Sequence, residues 1–166
     1  MKRKIVIELY EQLPAVTYYV IRFKDEEENE FDKFFNKFDG DSEFETSFNI
    51  IIDWLDKIGD EGADLNYFKP EGKSLKALPI DGGKLRLYCF RVNECIVVLG
   101  NGGNKKTRTY QEDPLLNKFV SDLREAGRHL WNRFNNTTKA SIHNCALLGN
   151  LEFEIDTEKL KSDEKK

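Results

Sequence analysis

The residues best suited to chemistry are basic and aromatic side chains concentrated between residues 73 and 110. Lysine and arginine neutralise phosphate groups, and tyrosine rings stack on nucleobases. The candidates are Lys73, Lys76, Lys84, Arg86, Tyr88, Arg91, Lys105, Lys106, Arg108 and Tyr110. These residue types predict a surface for RNA or another polyanion. The alternative is a set of solvated strand-end cations, which Arg86 fits least because it stands between Leu85 and Leu87.

Charge is distributed unevenly along the chain. The net charge is −9 in residues 1–68, +6 in residues 69–110 and −1 in residues 111–166, which gives −4 for the whole chain. A basic segment inside a mildly acidic protein indicates an anionic partner for that segment. The alternative is that acidic N-terminal helices neutralise the basic strands within the fold.

Other site chemistries lack their required spacing. A phosphate-binding loop needs a lysine directly after its last glycine, but Asn104 stands before Lys105. His129 and His143 lack a second ligand at metal-binding spacing, and no nucleophile elbow occurs. We therefore expect no nucleotide-hydrolysing loop, no metal and no cofactor.

The sequence also predicts a compartment. No apolar run approaches the roughly 20 residues of a membrane helix, and acidic residues interrupt the N-terminal apolar stretch early. The three cysteines, an odd number, lie in strand-like segments and predict buried free thiols. We expect a cytoplasmic protein with no membrane partner.

A predicted β-hairpin positions the basic residues. It consists of residues 84–92 and 95–100, with Asn93 and Glu94 as its turn. This register places Cys89 opposite Val98. Both faces are mostly apolar, so we expect the hairpin in the middle of a sheet. The glycine-rich residues 100–104 predict a flexible connection.

The flanking segments predict the remaining elements. Residues 4–10 and 17–24 are predicted strands, and phenylalanines at helical spacing over residues 31–38 predict a helix with a core stripe. The capping-box pair Ser42 and Glu45 predicts a second helix, which Gly59 and Gly62 end. Residues 114–134 predict a long amphipathic helix, and residues 74–80, 142–148 and 151–155 predict short strands. We expect one α+β domain over residues 1–156 and a charged tail over residues 157–166.

The middle of the chain resembles the C-terminal half of RelE/ParE-superfamily toxins, in particular the HigB-like, phage-derived subgroup. The resemblance rests on residues 86–90 (RLYCF), 96–100 (IVVLG) and 105–107 (KKT), followed by a helix, and covers about residues 68–126. It implies a RelE-like α+β fold, in which a curved antiparallel β-sheet packs against an N-terminal helical hairpin and a C-terminal helix.

The same resemblance implies a function. The protein would be a metal-independent endoribonuclease of a toxin–antitoxin system that cleaves mRNA on the ribosome, with an antitoxin protein as its partner. Arg86, Lys105 and Lys106 would be catalytic. RNA binding would fall to Lys76, Lys84, Tyr88, Arg91, Arg108 and Tyr110.

Two alternatives remain open beside this function. The first is a catalytically inactive RelE-like fold that binds protein or nucleic acid, because residues 74–80 (SLKALPI) stand where the family has a strand with an arginine. The second is the gyrase-poisoning branch of the superfamily, which would cause DNA damage signalling rather than loss of message.

Overall fold

The computed structural model describes residues 2–70, 76–77, 83–106, 110–135 and 139–156. Within these ranges the chain forms three α-helices and nine β-strands, which make an α+β protein. The elements are β1 (Lys2–Gln12), β2 (Thr17–Phe23), α1 (Glu30–Phe38), α2 (Glu45–Glu61), β3 (Lys69–Pro70), β4 (Lys76–Ala77), β5 (Leu85–Asn93), β6 (Ile96–Asn104), α3 (Pro114–Asn135), β7 (Ala140–His143), β8 (Ala146–Gly149) and β9 (Glu152–Asp156).

Seven strands form one mixed sheet in the order β3-β4-β5-β6-β2-β1-β9. Its central pair, β2 and β6, is parallel, with Thr17 opposite Ile96 and Val20 opposite Leu99. The predicted all-antiparallel sheet is therefore wrong at this pair. Parallel strands need a long crossover, which α1, α2 and β5 provide, and strand alternation alone does not reveal that direction.

The chain begins with two strands before its first helix. This order differs from the one that the family resemblance implies. The added first strand, β1, pairs antiparallel with β2 on one side and with β9 on the other, where Lys2 lies opposite Asp156. Of the described helices, none combines the length and the hydropathy that a bilayer span requires.

Both faces of the sheet are covered. The helical hairpin α1–α2 packs on one face, where Phe31, Phe34 and Phe38 are buried, so the prediction of a core stripe is confirmed. Helix α3 covers the other face through residues such as Val120 and Leu123. Its observed bounds agree with the predicted helix to within a residue.

The β5–β6 hairpin exists, but its predicted register is wrong. The turn consists of Glu94 and Cys95, and Asn93 pairs with Ile96. The Asn93 side chain accepts a hydrogen bond from the Cys95 amide at 2.9 Å, which favours this turn. The slip moves every β6 side chain to the opposite face, so Val98 packs toward α3 and Cys89 lies opposite Leu99.

The start of α2 also differs from the prediction. The helix begins at Glu45, and its N-cap residue, Phe44, makes no side-chain capping bond, so the predicted Ser42 capping box is wrong. The predicted stop at Gly62 is confirmed, since its φ of +112° is readily adopted only by glycine. The predicted stop at Gly59 is wrong, since Gly59 lies inside the helix, where the side chain of Leu13 occupies the space that a Cβ would need.

The C-terminal region contains a disulfide that the sequence did not predict. Residues 142–148, predicted as one strand, form part of the β7–β8 hairpin, whose turn residues Asn144 and Cys145 both have positive φ. Cys145 is bonded to Cys95 in the β5–β6 turn. The prediction of free thiols is therefore wrong for these two residues, whereas Cys89 is free and buried.

Candidate nucleic-acid interface

The candidate site lies where β5 begins and β6 ends. Leu85 pairs with Asn104, Arg86 pairs with Gly103, and the Lys105 amide donates a hydrogen bond to the Lys84 carbonyl at 2.8 Å. Four basic residues are thereby placed beside one another, and we call them the basic edge. They are Lys84, Arg86, Lys105 and Lys106.

The four residues differ in exposure. Lys84 and Lys106 are exposed, whereas Lys105 and Arg86 are half-buried. Arg86 also takes part in an interaction within the fold. Because β6 runs parallel to β2, the basic edge lies at the carboxyl ends of two parallel strands, a common position for ligand sites in α/β sheets.

Glycines allow the strands to approach closely at this point. A Cβ on Gly102 would lie 2.0 Å from the Arg86 carbonyl oxygen, and one on Gly103 would lie 3.0 Å from Leu116. Residues 100–104 are therefore the final part of β6, and the prediction that they form a flexible connection is wrong. At the other strand, the Lys84 amide donates to the Ser47 hydroxyl at 2.8 Å and ties the start of β5 to α2.

A β-bulge adjoins the basic edge. The register shifts between Leu87 and Cys89, so Gly100 and Asn101 together lie opposite Tyr88. Asn101 is buried, and its side-chain amide donates to Glu30 at 3.4 Å while its oxygen accepts from the Gly102 amide at 2.7 Å. A buried carboxylate at the start of α1 therefore supports the strand end that carries Lys105.

Glu30 and Asn101 were not among the predicted site residues. Glu30 is 3% exposed and pairs with Lys33 at 2.6 Å. The sequence showed Glu30 only as one of several acidic residues at a helix start, and no spacing rule connects it with a strand 71 residues away. Long-range contacts of this kind become visible only in the folded chain.

Next to this contact, three cations surround the ring of Phe23 at the end of β2. The Arg3 guanidinium lies 3.7 Å from the ring centroid, and the Lys118 and Lys33 amines lie at 5.3 and 5.9 Å. Arg3 donates to Asp25 at 3.0 Å and to Glu26 at 2.9 Å. Because these cations are paired with carboxylates, they stabilise the sheet end rather than extend the basic edge.

Asp122 is the unusual acid in this region. It is 2% exposed, and one carboxylate oxygen lies 3.2 Å from the Lys118 amine. The other oxygen has no hydrogen-bond partner among the described residues. Burial raises the pKa of Asp122 above its ordinary value, although Lys118 opposes the shift.

The two predicted stacking residues lie inside the protein. Tyr88 is 1% exposed and Tyr110 is 5% exposed, and their rings meet nearly edge-on at 6.3 Å. The Tyr110 hydroxyl accepts a hydrogen bond from Arg124 at 2.9 Å. Neither ring offers a face to a nucleobase in this conformation, because α3 covers the side of β5 on which Tyr88 lies.

Arg91 lies far from the basic edge. Its guanidinium donates to the Ala63 carbonyl beside a cavity of about 390 Å³ near the β5–β6 turn. Glu61, Asp64 and Glu94 also line that cavity, so the surroundings of Arg91 are acidic. An RNA-binding role for Arg91 together with Lys105 is not supported by this placement.

The remaining predicted residues are only partly described. Lys76 in β4 pairs through its backbone with Cys89 in β5, but its side chain lies outside the described residues. Arg108 lies wholly outside them. In the described ranges, no group of three or more His, Cys, Asp or Glu residues is arranged to hold a metal ion.

Comparisons with known proteins give no match. Neither a protein-family model, nor a curated protein, nor a solved structure matches this chain. The function therefore has to be inferred from the chemistry of the basic edge and its supporting contacts.

Proposed function

We propose that the protein is a toxin-like, metal-independent endoribonuclease, which binds mRNA at its basic edge. The observation that carries the proposal is the convergence of Lys84, Arg86, Lys105 and Lys106 at one end of the β5–β6 pair. Two of the three sequence pieces that carry the family resemblance, the strand with Arg86 and the pair Lys105–Lys106, thus meet in space.

The proposed reaction uses these cations in distinct roles. The 2′-hydroxyl of a nucleotide loses its proton to a base and attacks the adjacent phosphorus, while the 5′-oxygen leaves and gains a proton. Arg86 would stabilise the charge that develops on the phosphate oxygens. Lys105 and Lys106 would share that task or move a proton, as general acid–base catalysis requires.

Growth after induced expression in a bacterial host tests this proposal. The wild-type protein should arrest growth and cut messages, and Arg86→Ala or Lys106→Ala should relieve both effects. Lys57→Ala is the matched control, because Lys57 is an exposed lysine on α2 and should not contribute. Undiminished toxicity in both the Arg86 and Lys106 variants would refute the assignment of the site.

A second candidate is a non-catalytic RNA-binding protein of the same fold. The sequence of residues 74–80 (SLKALPI) favours it, since it has no arginine where the family has a strand with one. Incubation of purified protein with mRNA, with and without translating ribosomes, separates the two candidates. Cut RNA supports the nuclease, whereas retarded but intact RNA supports the binding protein.

The proposed partner and compartment follow from the proposed activity. An antitoxin would neutralise the basic edge, so co-expression of a cognate antitoxin should restore growth. Messages and ribosomes place the activity in the cytoplasm, although a disulfide such as Cys95–Cys145 is more typical of oxidising compartments. Alkylation of protein from freshly lysed cells, followed by mass spectrometry, would show whether the two thiols are bonded there.

A further inference from the structure

A separate cavity of about 150 Å³ lies between the helical hairpin and the first two strands. Its apolar walls come from α1, α2 and β6 and from the loop after β1. They are Leu13, Phe31, Phe35, Ile52, Leu55 and Leu99. None of the basic-edge residues lines it.

The charged groups of this cavity are acidic. Glu11 and Asp56 are exposed carboxylates in its lining. The Tyr10 hydroxyl, also in the lining, donates to Asp32 at 2.9 Å. Among the described lining residues none is basic, so an ionised ligand meets only negative charge here.

The carboxylates also affect the pKa values of the two tyrosines in the lining, Tyr10 and Tyr18. Burial raises the pKa of Tyr10 to about 12, with Asp32 and then Glu11 adding to the shift. Burial also raises the pKa of Tyr18, and Cys89, Asp56 and Glu11 add to the shift in that order. The Tyr18 hydroxyl donates to the Leu55 carbonyl at 2.7 Å, so it is already satisfied within the fold. Selectivity must therefore come from shape and from the two carboxylates.

We propose that this cavity binds a small apolar cation, meaning a body about the size of one aromatic ring that carries an ammonium group. The ring would lie against Phe31 and Phe35, whose centroids are 6.3 Å apart. The ammonium group would face Glu11 and Asp56. Aromatic rings pack favourably against one another, and carboxylates pair with an ammonium group, so both parts of the lining favour the same ligand.

The cavity is independent of the basic edge. The strong negative charge of residues 1–68 repels RNA and other polyanions, whereas the basic edge attracts them. The two sites therefore select ligands of opposite charge, and a failure of one assignment leaves the other intact.

Three probes of matched shape test the inference by ligand-observed NMR on the full chain. They are 2-phenylethylammonium, 2-phenylethanol and 3-phenylpropanoate, at millimolar concentration. The ammonium ion should bind at least about tenfold more tightly than the carboxylate, because two acidic side chains attract one and repel the other. Equal affinity for the two ions, or no binding of the ammonium ion, would overturn the proposal.

Variants locate the site. Asp56→Asn and Glu11→Gln should each bring the affinity for the ammonium ion toward that for the alcohol. Asp53→Asn is the matched control, since Asp53 is an exposed acid on the same helix that does not line the cavity. Ile52→Phe should fill the cavity and abolish binding of all three probes. Binding that responds equally to Asp53→Asn and Asp56→Asn would contradict the assignment.

Discussion

A glycine-to-alanine change at two positions should have opposite effects on stability. At Gly102, the new Cβ would lie 2.0 Å from the Arg86 oxygen and 2.9 Å from two further backbone atoms. Backbone atoms cannot move aside by a rotamer change, so the β5–β6 strands would have to separate locally. At Gly127 in α3, the nearest atoms are ring carbons of Phe90 at 3.5 Å, which is ordinary van der Waals contact.

The magnitudes follow from these distances. Overpacking typically costs 1–3 kcal/mol, and a backbone clash this close places Gly102→Ala at about 2 kcal/mol or more. Alanine is favoured over glycine in a helix, so Gly127→Ala should stabilise by about 1 kcal/mol. For a domain of this size, 1 kcal/mol corresponds to about 2–4 °C in melting temperature. The Gly102 variant should melt about 4–8 °C lower, and the Gly127 variant about 2–4 °C higher.

Circular dichroism melts of the wild type and both variants measure these shifts. RNA binding by Gly102→Ala, measured below its melting transition, should also weaken, because the same strand pairing positions Arg86 and Lys105. A Gly102→Ala protein that melts within about 2 °C of the wild type would refute the close approach of β6 to Arg86. The Gly127 variant controls for any general effect of removing a glycine.

Three further predictions follow. Reducing the Cys95–Cys145 bond should lower the free energy of unfolding by about 2–4 kcal/mol, whereas the Cys95→Ser variant should not respond to reductant in urea titrations. Because the pKa of Asp122 is raised on folding, the free energy of unfolding should fall as pH rises above the ordinary aspartate value, and Asp122→Asn should remove this fall across a pH series of denaturation curves. If RNA occupies the basic edge, Lys105→Ala should reduce the slope of log affinity against log salt by about 0.7, and an unchanged slope would remove Lys105 from the interface.

Local patterns predicted the elements better than their arrangement. The phenylalanine spacing in α1, the strand composition of β2 and the start of α3 at Pro114 are encoded within a few neighbouring residues, so the sequence shows them directly. The parallel direction of β2 and β6 depends on how α1 and α2 return the chain. The residues of β2 and β6 themselves do not indicate whether the two strands are parallel or antiparallel.

The register of β5–β6 shows how a small local choice changes a whole face. Asn93-Glu94 and Glu94-Cys95 are both plausible turns from composition, and the Asn93 side-chain bond to the Cys95 amide favours the second. The disulfide escaped prediction for a related reason. Its two cysteines come together only because each lies in a hairpin turn, and the second hairpin was not recognised.

The candidate site was predictable in its charges but not in its shape. Lys84, Arg86, Lys105 and Lys106 stand out by type alone, and pairing across the strands unites them. Tyr88 was likewise predicted as a site residue from its residue type, but its burial depends on where α3 packs. Glu30 and Asn101 support the strand end through a contact that no local pattern contains.

The pairing of β9 with β1 has a consequence for biosynthesis. While the ribosome synthesises the segment from β2 to α3, the edge of β1 that later pairs with β9 has no partner. Ile5 lies in this strand and is buried in the completed fold. Unpaired strand edges recruit other chains, so a nascent molecule is most prone to aggregate in this interval. Slow translation of the segment between α3 and β9 should therefore lower the soluble yield more than equally slow translation after β9.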